Sequence, residues 1–349
     1  MTRLHFLFLA CFCSSALQAQ EADPMMYSII GVGDIMMGTN YPSASYLPPN
    51  DGKDLMREVL PILKDADITF GNLEGAILTS GGTPKTCRNP DVCYVFRTPE
   101  HYVDNLVAAG FDVMSIANNH SGDFGPTGRQ KTKEVLRKAG IGFAGLLGTD
   151  DHAIITRDSV KYGFAAFAPN SGTCDIRDLT YVKQIVSKLE AECDIVIVSF
   201  HGGAEGADNQ RVPKKSETYY GENRGDVHAF AHTAIDAGAD VVFGHGPHVT
   251  RALELYKDRI IAYSLGNFCT YGRFSVSGPA GYAPILKVYV NKQGAFIHGE
   301  ITSIYQMKSH GPKIDSKKQA LNKLIELTKA DFPNTPLHIS EEGILTPVR

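Results

Sequence analysis

Beyond its first twenty residues the 349-residue chain has no uninterrupted apolar stretch of the ~18 residues that a membrane-spanning helix requires. The mature chain is therefore expected to be soluble. Nor is there a large excess of charge of one sign. The formal net charge is −4, and a weakly acidic total gives no support for nucleic-acid binding. Gly-x-Gly-x-x-Gly and Gly-x4-Gly-Lys-Ser/Thr phosphate loops are both missing, as are internal repeats and low-complexity linkers. Cysteine is sparse, with seven in all. Cys11 and Cys13 fall in the first twenty residues, which leaves Cys87, Cys93, Cys174, Cys193 and Cys269. Cys87 and Cys93 flank Asn89-Pro90-Asp91 and are expected to form a loop disulfide in an oxidising compartment. Cys174 with Cys193 is a second candidate pair. Cys269 follows an apolar run and is expected to be a buried free thiol.

The N-terminus has the parts of a secretory signal peptide. Arg3 precedes the apolar segment Leu4 to Cys13, and a small-residue exit ends in Ala19-Gln20. Segment 1–20 is expected to be removed, leaving an exported, periplasmic or extracellular protein. Phe8-Leu9-Ala10-Cys11 is only faintly like a lipoprotein cleavage box and would leave a very short signal, so no lipid anchor is expected. With 43% hydrophobic residues, the remainder can bury a substantial core. One α/β domain over 25–305 is the simplest organisation, with a C-terminal helix and tail over 306–349 packed on it or extending it.

Apolar patterning predicts a succession of strands and helices. Strands are expected at Ile29 to Asp34, Ala66 to Gly71, Phe111 to Ala117, Gly163 to Ala168, Cys193 to Phe200, Val241 to Phe243 and Ile260 to Phe268. Ile285 to Val290 and Ala295 to Ile301 suggest an antiparallel pair. Helices are expected over Asp54–Lys64, Glu100–Ala109, the segment up to Ala139, Val182–Glu190, His228–Ala237 and Lys317–Lys329. A charged insertion runs from Asn209 to Asp226.

Chemistry gathers where these strands end. Gly33-Asp34, Asn72-Leu73-Glu74, Asn118-Asn119-His120, His201-Gly202-Gly203-Ala204-Glu205 and Gly244-His245-Gly246-Pro247-His248 each follow an apolar run. Any one of them is explicable as turn chemistry, since Asp and Asn cap turns and loop histidines bond to backbone. Five arranged alike point to a metal or catalytic centre at the carboxyl edge of a sheet. Oxygen and imidazole donors without cysteine suit Mn, Fe, Zn or Mg, as one or two divalent ions. His228 and His232 are also one helical turn apart, but a solvated or supporting face is the simpler reading there.

Together with Tyr263-Ser264-Leu265-Gly266-Asn267-Phe268, these motifs resemble the poly-gamma-glutamate capsule biosynthesis protein family of CapA type, related to the calcineurin-like metallophosphoesterases. The resemblance spans about residues 29 to 270. It implies a four-layer α/β sandwich, two central mixed sheets with helices outside. It further implies that Asp34 and His248 bind a first metal, that Glu74 bridges, and that Asn119, His201 and His245 bind a second. His120 would be the proton donor to the leaving group. Arg97 matches a basic position of the pattern and suits a carboxylate or phosphate; Glu205 and, if the insertion covers the cleft, Arg224 are further candidate substrate contacts.

One departure stands out. The phosphoesterases usually carry a histidine two residues after the first aspartate, where this chain has Met36, a soft neutral thioether poorly suited to Mn or Fe. Two functions are therefore expected as alternatives. The first is an exported metal-dependent hydrolase of phosphoesters or gamma-glutamyl amides, acting on an anionic polymer or a small phosphorylated or gamma-glutamyl substrate. The second is a non-catalytic protein that binds or helps export or assemble such a polymer, with membrane-associated synthesis or export proteins as partners.

Overall fold

The strand Met26–Met36 (β1) lies near the middle of the molecule, paired with strands that come both before and after the chain's midpoint. The computed structural model describes residues 25–87, 93–148 and 150–348, so the expected signal segment lies outside the described residues. After β1 come α1 (Leu60–Leu63), β2 (Ile68–Leu73), β3 (Ala76–Ile77), β4 (Arg97–Thr98), α2 (Val103–Ala109), β5 (Val113–Ser115), α3 (Gly125–Lys138) and β6 (Gly142–Ala144). The middle of the chain forms β7 (His152–Arg157), β8 (Val160–Phe167), α4 (Leu179–Glu192) and β9 (Ile195–His201). The hairpin β10 (Glu217–Tyr219) and β11 (Glu222–Gly225), then α5 (Val227–Asp236), β12 (Val241–His245), β13 (Leu253–Tyr256) and β14 (Arg259–Ala262), complete it. The last part is β15 (Asn267–Thr270), β16 (Tyr282–Asn291), β17 (Phe296–Met307), β18 (His310–Ile314), α6 (Gln319–Asp331), β19 (Leu337–Ile339) and β20 (Ile344–Pro347).

Two mixed sheets result. The first runs β19-β20-β17-β16-β1-β2-β5-β6, with β15 added beside β1 and β18 beside β17. The second runs β13-β14-β12-β9-β8-β7. β1, β2, β5 and β6 are mutually parallel, as are β8, β9, β12 and β14. Strands covered on both faces read as continuous apolar runs rather than alternations, which is why Ile195 to Phe200 is buried throughout.

Ile29, Phe70 and Val113 of the first sheet meet Phe164, Ile197 and Phe243 of the second. Phe70 and Phe243 lie stacked with centroids 5.4 Å apart. Alternate residues face outward. Ile30, Met114 and Phe143 pack with Leu106 of α2 and Leu136 of α3. Val196, Val198 and Phe200 pack with Val186 and Leu189 of α4 and Phe230 and Ala234 of α5. The order helix, sheet, sheet, helix is the four-layer α/β sandwich that the sequence leads one to expect.

Several local expectations are corrected. Only Leu60–Leu63 of the expected helix 54–64 is α-helical, with Pro61 in its first turn; a ring at that position clashes with the carbonyl four residues back and so cannot sit mid-helix. The expected strand 260–268 is two strands, because the chain leaves the second sheet after Ala262 and joins the first at Asn267. The boundary at 305 falls inside β17, and β18 and β20 pair with that strand, so the C-terminal segment continues the first sheet. Cys87 and Cys93 are disulfide-bonded, while Cys174 and Cys193 are free. α4 stands between those two in sequence and carries their flanking backbone about 20 Å apart. Cys269 is buried and free, and burial pushes its thiol up to about 12.

Gly31 fixes the spacing between the sheets. A Cβ there would come within 2.5 Å of the Phe243 ring. Gly31→Ala is expected to lower stability by about 1–3 kcal/mol through overpacking, measured as a lower urea midpoint with unchanged m-value.

Candidate metal centre

The parallel strands of both sheets end on one rim, and the chain is built to crowd it. Gly33 sits so close to the crossover that a Cβ would lie 2.1 Å from the Gly266 carbonyl oxygen. That approach lets the Asp34 amide donate to the same carbonyl at 2.9 Å. Asn72 Nδ2 donates to Asp34 Oδ1 at 2.8 Å. Asn118 Nδ2 in turn donates to Asn72 Oδ1 at 3.1 Å and to the Leu73 carbonyl at 2.8 Å. A line of amides thus ties the ends of β1, β2 and β5 together.

Asp34, Glu74 and His201 meet at this rim. One ligand atom of each lies within 4.8 Å of the others, and all three residues are 0% exposed. Among the described residues, neither carboxylate oxygen of Glu74 nor Nε2 of His201 has a hydrogen-bond partner. Burial drives the Glu74 carboxyl well above its ordinary range and the His201 imidazole well below its own.

His248 stands between the two acids. Its backbone is left-handed, with φ 57°, which turns the ring back over the cluster. Nδ1 is 2.9 Å from Asp34 Oδ2 and Nε2 is 3.5 Å from Glu74 Oε1. Burial works to lower the His248 pKa, but Glu74 and Asp34 hold it up at about 10. Burial likewise works to raise Asp34, yet the hydrogen bond and charge of His248, with His245 and His201 behind it, hold it at about 2. The two acids thus favour the protonated form of His248, while burial favours the protonated form of Glu74. Two orphaned acceptor oxygens and an orphaned imidazole nitrogen, in a dry cluster with no thiol, fit a hard or borderline divalent ion.

His120 lies beside the cluster, with Nε2 3.8 Å from Glu74 Oε1. Asp123 Oδ2 accepts from its Nδ1 at 2.8 Å, which leaves Nε2 facing the acids. Asp123 also accepts from the Phe96 amide at 2.6 Å and pairs with Lys85 at 2.6 Å. The Phe96 ring covers the imidazole, centroids 4.3 Å apart. Burial lowers the His120 pKa, partly opposed by Asp123. The sequence reading missed Asp123 and Lys85; the three-residue spacing from His120 to Asp123 carried the signal for the first.

Asn119 is half-buried, and its Oδ1 has no partner. His245 belongs to β12 rather than to the loop, and strand alternation turns its ring between the sheets. Its Nε2 donates to the Val32 carbonyl at 3.0 Å, its Nδ1 is 3.4 Å from Ser199 Oγ, and its ring meets Phe70 edge-on. The structure thus sets His245 beneath the cluster with both nitrogens engaged. Met36 is buried, its sulfur accepting from the Gly38 amide at 3.3 Å. Arg97 donates to Asn40 Oδ1 at 2.7 Å and to the Gly81 carbonyl at 3.1 Å, with its guanidinium over the Phe124 ring; it ties β4 to those two loops. Arg224 is 6% exposed and pairs with Glu205 at 3.1 Å and Glu222 at 3.3 Å, yet its Nε has no partner. The charge of Glu205 is felt at both Glu74 and His248, so this pair borders the centre.

In metal-free protein the raised pKa of His248 has a definite sign. Its stabilising proton is fully bound below the ~6.5 of an unfolded histidine, and the stabilisation is lost as pH rises through about 10. Chelator-treated protein is expected to lose thermal stability across that interval, and His248→Gln to lack this part of the dependence; equal slopes in melting temperature would count against it.

A family model described as bacterial capsule synthesis protein PGA_cap matches residues 28–271. Similar proteins include the capsule biosynthesis protein CapA of Bacillus anthracis, 30% identical over 68% of this chain and 58% of that one. The PGA biosynthesis protein CapA of Bacillus subtilis is 28% identical over 68% of this chain and 61% of its own. The chain thus spans about three-fifths of the length of these relatives. Among solved structures it is similar to a putative 5'-nucleotidase of Staphylococcus aureus, at 13% identity and a TM-score of 0.48 over 87% of this chain and 58% of that one. Because the match runs from β1 through β15 and takes in every strand end that builds the centre, the chain belongs to the bacterial capsule synthesis PGA_cap family.

Proposed function

We propose that this protein is an exported, metal-dependent hydrolase of capsule-type polyanion metabolism, cleaving a phosphoester or a gamma-glutamyl amide. The observation that carries the reading is the unpartnered trio of Glu74 Oε1, Glu74 Oε2 and His201 Nε2 beside Asp34. Asp34, Glu74, His201 and His248 would hold one divalent ion, with Asn119 available to a second. Such an ion supplies Lewis acidity and activates water.

The chain's own residues do the rest. His120, oriented by Asp123 through Nδ1–H, presents Nε2 to the reacting group; Nε2 can take a proton from the attacking water, and the imidazolium so formed can pass that proton on to the leaving atom. Lys85, paired with Asp123 at 2.6 Å and donating to the Asn119 carbonyl at 3.2 Å, holds the loop in place. The Phe96 ring excludes water from one face of the imidazole. A cavity of about 300 Å³ opens beside Asn119, lined by Lys85, Arg129, Asn170 and Ser171 with no carboxylate among its lining residues. Its character, with the unpartnered Nε of buried Arg224, favours an anionic substrate. The Cys87–Cys93 disulfide supports an oxidising location.

A second reading rests on Met36 and on the engagement of His245, which together leave few free imidazoles. In it the protein binds an anionic polymer without turning it over and serves membrane-associated synthesis or export partners. Purified protein supplied with Mn or Zn is expected to hydrolyse an aryl phosphate or a gamma-glutamyl polymer, and His120→Ala to lower the rate on the order of 10²–10⁴-fold with metal content unchanged. Polymer binding with no turnover of either substrate would favour the second reading.

A further inference from the structure

On the outer face of the second sheet a separate group of ligating side chains has no part in the centre. Leu253 and Leu255 of β13 face the core between the sheets, so Glu254 faces outward. α5 packs on that outer face, and its His228 and His232 have ring centroids 4.0 Å apart. One ligand atom from each of His228, His232 and Glu254 lies within 4.8 Å of the others, and all three residues are half-buried.

Two of these ligands are held in place already. His232 Nε2 is 3.0 Å from Glu254 Oε2, and the Tyr263 hydroxyl donates to the same oxygen at 2.7 Å. The His232 ring stacks on Tyr256 with centroids 3.8 Å apart. A phenol that orients a carboxylate ligand and a ring that fixes an imidazole are the supports a metal site requires. The surrounding charges are mixed, with Asp226 and Asp236 favouring a cation and Lys214 opposing it.

Two imidazoles at i and i+4 of one helix and a carboxylate from the adjoining strand make a donor set suited to zinc, with water as the fourth ligand on the exposed side. Bonds of about 2.0–2.1 Å place tetrahedral ligand atoms about 3.3 Å apart, so the His232–Glu254 separation needs to widen by only a few tenths of an ångström. We propose that His228, His232 and Glu254 form a second zinc site, open to water at its fourth position and independent of the centre. The helix pair precedes β12, and Glu254 follows the loop that carries His248. A zinc ion bonded to all three would therefore fasten together the two ends of the segment that delivers His248 to the centre.

The test is zinc content after equilibrium dialysis, measured on wild type, on His228→Asn/His232→Gln and on Glu74→Gln, with circular dichroism to verify folding. The double variant is expected to bind one zinc fewer per chain than wild type, while Glu74→Gln retains that ion. Equal zinc content in wild type and the folded double variant would overturn the proposal. Zinc-edge anomalous diffraction from wild-type crystals soaked in zinc tests it without any substitution. A peak bonded to the three side chains supports the site, and no peak there overturns it.

Discussion

Two carboxylates buried side by side with too few donors are the constraint on which the rim of this protein depends. Ionised acids removed from water cost several kcal/mol each unless a cation or hydrogen bonds answer them. Asp34 has Asn72 and His248 as answers; Glu74 has only the more distant His248 and His120. The core gains nothing from such an arrangement, and packed apolar residues would serve stability better. A buried pocket of oxygen and nitrogen acceptors gains stability from positive charge brought to it.

The fold supplies that pocket by bringing distant segments to one edge. Parallel strands from two sheets stop at the same level, so side chains at their ends converge although Asp34 and His248 are 214 residues apart. Glycine makes the convergence tight. At Gly33 and Gly31 the missing Cβ lets, respectively, the crossover carbonyl and the Phe243 ring approach the central strand. The amide line from Asn118 through Asn72 to Asp34 then fixes the acids against the rim. His120 is mounted separately, on a loop braced by Asp123, Lys85 and Phe96.

Much of this was legible in the sequence. Apolar runs ending in Asp, Asn, Glu and His announced parallel strands with a polar rim, and Asp34, Glu74, His201 and His248 do meet there. What escaped was set by geometry that period and composition do not carry. β12 runs two residues past the expected end at Phe243, and strand alternation then turns His245 inward to Val32 and Phe70. Arg97 looked like a free basic group, but its partners are an amide and a carbonyl supplied by loops remote in sequence. Asp123 and Lys85 read as ordinary loop charges because the chain closes them around His120 only in three dimensions. Strands β18 to β20 lay in a tail for which apolar patterning predicted only a helix.

The central claim is that the buried acids at the rim are a cation site. Anomalous diffraction at transition-metal edges, from crystals of protein grown with Mn or Zn, tests this most directly. The account predicts a peak within bonding distance of Asp34, Glu74 and His201, with His248 moved from bridging the acids to ligating the ion. A rim without any such peak, His248 still lying between Asp34 and Glu74, would contradict it.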